Sequence, residues 1–145
     1  MSVQVDAVRP STTEPDATTA IANLIRFFET GQVPDGLFAP DVFLDVSFPQ
    51  WRLQADSAAG LVAIRARSHP CPGAVSVTRA EPTPRGFTLE FEERWHDRGQ
   101  DWYCREMARA DVVGATIVEL IIYCTGDWDE AQQRAHGAQV RLIRP

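Results

Sequence analysis

The chain after Gly73 alternates apolar and polar side chains, and this pattern restricts the fold more than any other feature of the sequence. The alternation fills segments 74–80, 86–96, 101–112 and 116–125, with turn-forming residues between them. A period of two residues sends neighbouring side chains to opposite faces of a strand. Short turns join antiparallel neighbours. The pattern therefore predicts four strands in an antiparallel meander.

Other parts of the chain have helical spacing. We expect a helix from Asp16 to Gly31, a second over residues 57–68 and a short final one over residues 129–136. The β-branched and aromatic run at 42–48 predicts one further strand, which breaks at the following proline. Helices first and a meander afterwards indicate an α+β domain with helices on one face of a curved antiparallel sheet.

Length and charge limit the function classes. The 145 residues suffice for one domain, which we expect over residues 16–145 behind a mobile leader at residues 1–15. The chain has 14 Lys and Arg residues against 20 Asp and Glu residues, a net charge of −6. Such a surface repels nucleic acid and anionic lipid. We therefore expect neither nucleic acid nor membrane as a partner.

The cysteines and histidines form no recognisable metal motif. The three cysteines have no C-x-x-C pair, the three histidines are far apart, and nucleotide-binding motifs are absent. We expect reduced cysteines, surface histidines, no metal and no cofactor. No segment is apolar and long enough for a signal peptide core or a membrane span, which predicts a cytoplasmic protein. The three cysteines are Cys71, Cys104 and Cys124, and the three histidines are His69, His96 and His136.

Trial registers assign side chains to the two faces of the sheet. A hairpin turning about Gly114 pairs Cys104 with Cys124 and Glu106 with Ile122. A turn at 97–100 extends the same two faces across a third strand. One face is then apolar, and the other is a charged ladder that favours a solvated or subunit-facing surface. We expect a homodimer that forms through the sheet.

Two acids, Glu93 and Glu106, interrupt the apolar face. A buried carboxylate is costly unless it is paired, so these acids are either satisfied or used in chemistry. Burial and mutual repulsion would raise a pKa and leave a group that transfers protons near neutral pH. The alternative is that either acid pairs with Arg65 or Arg67 of the second predicted helix.

Further candidates surround this acid pair. Asp45 is a third acid if it faces the interior, and hydrogen bonding to the nearby helix is the alternative. Trp51 follows the bend after the first strand and Trp128 precedes the last helix, so both are candidates to line or close the pocket. The candidates are Glu106, Glu93 and Asp45 for catalysis, and Trp51, Phe91, Trp95, Ile122, Cys124 and Trp128 for substrate binding.

The order of these elements, with the segments Leu37–Val42 and Ile117–Tyr123, resembles the nuclear transport factor 2-like superfamily over residues 16–128. This superfamily includes ketosteroid isomerases, SnoaL-like polyketide cyclases and limonene epoxide hydrolases. The resemblance implies a cone-shaped α+β barrel with helices packed on the concave face of the sheet. It also implies a deep apolar pocket and, in many members, a dimer.

The functional residues of the superfamily match this chain only in part. Phe48 stands where the isomerases have their general base, and Ile122 stands where the cyclases have an Asp. Asp45 and Ser47 would correspond to the Tyr-x-Asn pair of the epoxide hydrolases. Because Ile122 faces the pocket in this superfamily, its predicted partner Glu106 is the candidate for the acid, one strand over.

These observations favour a cofactor-independent enzyme that acts by general acid/base catalysis on a hydrophobic small molecule of polyketide, terpenoid or steroid type. Isomerisation, cyclisation and epoxide opening all fit, since each moves a proton inside a dry pocket. The alternative is a non-catalytic ligand-binding or dimerisation module of the same fold. In that case Glu93 and Glu106 should be paired with arginines and side chains should fill the cone.

Overall fold

Three helices and six strands follow one another along residues 14–145, the part of the chain that this computed structural model describes. The predicted leader at residues 1–15 lies almost entirely outside the described residues. The helices are α1 (Ala17–Thr30), α2 (Ala58–Ser68) and α3 (Glu130–Gln139). The strands are β1 (Phe38–Phe48), β2 (Trp51–Ala55), β3 (Gly73–Thr83), β4 (Gly86–Asp97), β5 (Gln100–Val113) and β6 (Thr116–Cys124).

The strands form one curved, open sheet in the order β2-β1-β6-β5-β4-β3. This confirms the α+β fold, with one difference from the expected antiparallel sheet: β1 and β6 are parallel, with Leu44 beside Leu120 and Val46 beside Ile122. The long chain between β1 and β6 supplies the crossover that parallel pairing requires. Strand β2 is absent from the sequence prediction, because Trp51–Ala55 has little strand character and gains its partners only by folding back on β1.

Helix α1 covers the sheet with an apolar face. Asp16 caps it by accepting a hydrogen bond from the Thr19 N–H, and Gly31 ends it in the left-handed region at φ 73°. Its buried residues, with Leu61 of α2, pack on the side chains of β1, β4, β5 and β6 that point toward the helices. We call this side of the sheet the inner face and the opposite side the outer face. The buried residues of α1 are Ala20, Leu24, Phe27 and Phe28.

The β4–β5 hairpin has the expected register. Glu93 pairs with Cys104 and Phe91 with Glu106. The connection is a tight turn in which Arg98 and Gly99 both have positive φ, 50° and 74°, as in the two-residue hairpin turns that match strand twist.

The expected β5–β6 register is wrong by two residues. Cys124 pairs with Glu106, and Ile122 pairs with Ala108. A register irregularity between Asp111 and Val112 accounts for part of the shift. Because the shift is even between Glu106 and Asp111, the side chains of that stretch keep their predicted faces, whereas beyond the irregularity Ile117 joins the core in place of Val118. Cys104 and Cys124 are therefore diagonal neighbours rather than direct partners.

Within residues 14–145, none of the helices combines the length and the apolar character that a bilayer crossing requires.

Candidate functional site

A pocket lies between α1, α2 and the inner face of the sheet. The cavity is about 40 Å³, and the empty space including its mouth is about 410 Å³. The enclosed part therefore holds only a few waters. Four polar residues, Arg65, Ser68, His69 and Glu106, interrupt an otherwise apolar lining. The apolar lining residues are Phe27, Phe28, Val46, Phe48, Leu61, Ile64, Leu120 and Ile122.

Glu106 projects into this pocket from β5 and is 7% exposed. Its Oε2 has no hydrogen-bond partner within residues 14–145. Burial, followed by the negative charge of Glu93, raises the pKa of Glu106 well above its ordinary value. Both effects favour the protonated, proton-donating form of the carboxyl group.

Glu93 has the opposite environment. The Arg65 Nη1 donates to Glu93 Oε2 at 2.8 Å, and the Arg65 Nη2 donates both to Glu93 Oε1 and to the carbonyl oxygen of Phe28. Burial alone would raise the pKa of Glu93, but the hydrogen bonds from Arg65 and His69 outweigh it and hold that pKa well below its ordinary range. Glu93 is thus a buried carboxylate paired with arginine, the alternative that the sequence left open. The Arg65 Nε is buried and has no partner among the described residues.

His69 joins this cluster, and the expectation that it lies on the surface is wrong. It is 4% exposed, and its ring stacks on Trp95 with centroids 4.3 Å apart. Nδ1 is 3.1 Å from Glu93 Oε2, and Nε2 is 3.3 Å from Asp127 Oδ1. Burial lowers the pKa of His69, but contacts with Asp127 and Glu93 outweigh it, and the pKa is raised. The four-residue spacing in the sequence could have indicated that Arg65 and His69 lie together, because residues i and i+4 share a helix face.

The inner face brings most of the sequence-predicted site residues together. Glu93, Glu106, Phe91 and Trp95 all lie there, and Phe91 stacks on Phe28 at 5.4 Å between centroids. Of the apolar candidates, Ile122 lines the cavity. Phe91 and Trp95 lie outside the lining, and they stack on two residues that belong to it, Phe28 and His69.

Two predicted site residues lie on the outer face. Asp45 is bound there by Arg52, through two N–H donors, and by the Gln54 amide at 3.1 Å. Residues of β1 alternate, so Val46 takes the inner position and its neighbour Asp45 cannot reach the pocket. Trp128 packs edge-on against Tyr103 of the outer ladder, 5.5 Å between ring centroids, and does not close the pocket.

Trp51 shares the inner side with its partner Phe48 but is 66% exposed at the end of the edge strand. Trp51 is not part of the cavity lining, and its expected position at the pocket mouth stays a prediction.

Two groups of potential metal-ligand side chains meet behind the pocket. The first, His69, Glu93, Cys104 and Glu106, has donor atoms within 4.8 Å of one another. Arg65 already supplies positive charge to this group, since its Nη1 lies 3.1 Å from His69 Nδ1 and binds Glu93. A cation does not fit there.

The second group is Cys104, Cys124 and Asp127, also within 4.8 Å of one another. The Cys104 thiol and then the Gly126 N–H lower the pKa of Cys124, to about 7, against the effect of burial. The hydrogen bond with Cys124 and then burial raise the pKa of Cys104. The trial register brings the two cysteines together, but it does not reveal Asp127, which lies in the loop after β6.

No protein-family model matches the sequence, and no curated protein is significantly similar to it. Solved structures show the fold. An NTF2-like protein from Anabaena variabilis superposes with a TM-score of 0.63 at 14% identity, over 85% of this chain and 96% of that one. A protein with a ketosteroid isomerase-like fold from Catenulispora acidiphila, in complex with trimethylamine, gives 0.57 at 14% identity, over 73% and 85%. An LEH-like epoxide hydrolase from M. tuberculosis gives 0.60 at 10% identity, over 76% and 85%.

Proposed function

Because the chain has the nuclear transport factor 2-like fold, we propose that it is an enzyme that acts on a small, mostly apolar molecule by acid catalysis in the α1–α2 pocket. One observation carries this proposal. Glu106 Oε2 and Arg65 Nε are buried, have no partner within residues 14–145, and belong to residues that line the same pocket. Buried polar groups are rarely left without a partner, so both atoms point to a bound oxygen or water.

Glu106 and Arg65 have different roles in the proposed proton transfer. The Glu106 carboxyl donates a proton to an oxygen of the substrate, and the Arg65 Nε–H donates a hydrogen bond that stabilises negative charge on that oxygen. Glu93 acts through its neighbours: it holds Arg65 in place, and its charge keeps the proton on Glu106. The apolar wall excludes water from the reacting groups.

The size of the pocket narrows the substrate class. Ligand sites for drug-sized molecules enclose about 300–1,000 Å³, whereas the cavity here is about 40 Å³. A compact terpenoid or polyketide fragment therefore needs less opening of the pocket than a four-ring steroid does. Entry of such a molecule requires the side chains around the cavity to move.

Epoxide opening is the first reaction to test, with isomerisation and cyclisation next. Opening an epoxide needs an acid at the ring oxygen and a water that attacks the ring carbon and loses a proton. The pocket offers Glu106 as the acid and a water-sized cavity, and the carboxylate left on Glu106 after donation takes up the proton that the water releases. One structural neighbour is an LEH-like epoxide hydrolase, which supports the same choice.

A non-catalytic binding module is the second candidate. The observation in its favour is the Arg65–Glu93 ion pair, which satisfies one of the two acids without any chemistry.

The test compares wild type, Glu106→Gln and Glu119→Gln, an outer-face control, on a panel of small epoxides, enones and cyclisable diketones. Mass spectrometry and chiral chromatography follow the products. Acid catalysis predicts turnover by wild type and the control and at least a hundredfold loss in Glu106→Gln, the usual contribution of a general acid being about 10²–10⁴. If wild type and Glu106→Gln bind the same compound and neither changes it, the protein is a binding module.

A further inference from the structure

Three potential metal-ligand side chains meet where β6 ends and the chain turns toward α3. The Sγ atoms of Cys104 and Cys124 and a carboxylate oxygen of Asp127 lie within 4.8 Å of one another. His69 approaches this group from the end of α2, with its Nε2 3.3 Å from Asp127 Oδ1. Thiolate, imidazole and carboxylate are the groups that bind zinc in proteins.

The segment from Cys124 to Asp127 has the local form of a metal-binding turn. Gly126 takes a φ of 84°, and its N–H donates to the Cys124 Sγ at 3.3 Å. This turn brings Asp127 back beside Cys124, and the N–H donor favours the thiolate that a metal needs. The two side chains are separated by two residues, the spacing of C-x-x-C pairs in zinc sites.

The other ring nitrogen of His69 is held as in known metal sites. Nδ1 lies 3.1 Å from Glu93 Oε2, and Arg65 holds that carboxylate. Metal-bound histidines usually present their second nitrogen to a carboxylate or carbonyl, which fixes the ring and its tautomer. Stacking on Trp95 fixes the ring plane as well. Arg65 lies on the Nδ1 side of the ring, away from Asp127.

The strand register opposes a disulfide between the two cysteines. Cys124 pairs with Glu106, so Cys104 is its diagonal neighbour. Diagonal residues in a sheet stand about 7–8 Å apart, whereas disulfides need Cα atoms about 4.4–6.8 Å apart. A metal ion bridges such a pair more readily, because zinc-bound sulfurs are about 3.8 Å apart rather than directly bonded.

We propose that Cys104, Cys124, Asp127 and His69 bind a zinc-like divalent cation. Two thiolates and one carboxylate bring negative charge to the cation, and neutral His69 completes a tetrahedral set. The Asp127 side chain is 33% exposed and gives the ion an entry path. Glu106 is not a ligand, and the proposal does not rest on the acid catalysis proposed above.

Titration of the chelator-treated protein with Co²⁺ alone tests the site. We expect one equivalent to give a thiolate-to-cobalt charge-transfer absorption and the intense visible bands of tetrahedral cobalt, and Zn²⁺ to remove both. Mg²⁺ should remove neither, because it prefers oxygen ligands. Cys124→Ser should lose the charge-transfer intensity in large part, whereas Cys71→Ser, at an exposed cysteine outside the cluster, should keep it.

A second pair of variants tests the site even if Cys124→Ser does not fold. Asp127→Asn should weaken Co²⁺ binding at least tenfold, and Asp97→Asn, at a carboxylate that is 34% exposed, should leave it unchanged. Circular dichroism checks that each variant is folded. The proposal is overturned if wild type gives no charge-transfer band, if folded Cys124→Ser keeps the full band, or if Asp127→Asn binds as wild type does. It is equally overturned if mild oxidation forms a Cys104–Cys124 disulfide in the native protein.

Discussion

Glu93 and Glu106 are diagonal neighbours on the inner face of β4 and β5, and their environments drive their protonation in opposite directions. Arg65 and His69 hold Glu93 ionised, and that negative charge together with burial keeps the proton on Glu106. Two identical side chains thus become a fixed anion and a neutral acid, the division of roles from which acid catalysis is built.

The proton on Glu106 makes the stability of the protein depend on pH. A carboxyl whose pKa is raised by folding contributes its stability fully below its unfolded pKa, and the contribution is lost as pH rises through the folded pKa. Glu106→Gln, which carries no charge, should therefore melt at a higher temperature than wild type at neutral pH, and the difference should shrink toward about pH 4. Melting curves across this range test the prediction. Parallel curves for the two proteins would mean that Glu106 is not buried as a neutral acid.

The ion pair between Arg65 and Glu93, in which both side chains are buried, should contribute more to stability than the pair between the exposed Arg52 and Asp45. Arg65→Met takes the guanidinium and its hydrogen bonds away from the buried Glu93 carboxylate, and breaking a buried ion pair in this way costs about 3–5 kcal/mol. Arg52 is 64% exposed, so Arg52→Met should cost less than about 1 kcal/mol. Urea unfolding of both variants measures the difference. Adding Glu93→Gln to Arg65→Met should restore part of the loss, and equal losses in the two single variants would contradict the argument.

The faces of the sheet follow from the sequence because alternation is a local property. The β5–β6 register differs by two residues from the expected one, yet Cys104 and Glu106 keep their predicted side, since an even shift preserves parity. The parallel pairing of β1 with β6 and the strand Trp51–Ala55 depend on distant chain segments, so local patterns do not reveal them.

The site was predictable where it lies on the sheet and not where a helix docks on it. Glu93 and Glu106 stand out because they interrupt an apolar face. His69 comes from the end of α2 and Asp127 from a loop, and only tertiary packing brings His69 to Glu93 and Asp127 to His69. Asp45 shows the reverse case. Its carboxylate would suit a catalytic pocket, but the alternation of side chains along β1 places it on the outer face, where it binds Arg52.

Tyr103 provides a test of the outer-face charge ladder. Its hydroxyl donates to Glu92 Oε1 at 2.6 Å. Burial and then Glu92 raise the pKa of Tyr103 to about 12. Folding thus favours the protonated phenol, and this stabilisation should disappear as pH rises from about 10 toward the raised value. The difference in ultraviolet titration between wild type and Tyr103→Phe isolates this group. When both proteins also carry Glu92→Gln, the titration step of Tyr103 should move to lower pH. No movement would show that Glu92 does not raise the pKa of Tyr103.

The expected homodimer through the sheet remains a proposal, and the outer face supports it. Met107 and Tyr123 are cross-strand partners there, and both are exposed. Met and Tyr side chains are enriched at the centre of protein interfaces. Met107→Arg should therefore dissociate the dimer, while Val33→Arg, at an exposed apolar residue outside the sheet, should not. Sedimentation equilibrium over a range of concentrations distinguishes the two variants. A wild type that sediments as a monomer at all concentrations would rule out the dimer, and equal behaviour of both variants would place the interface elsewhere.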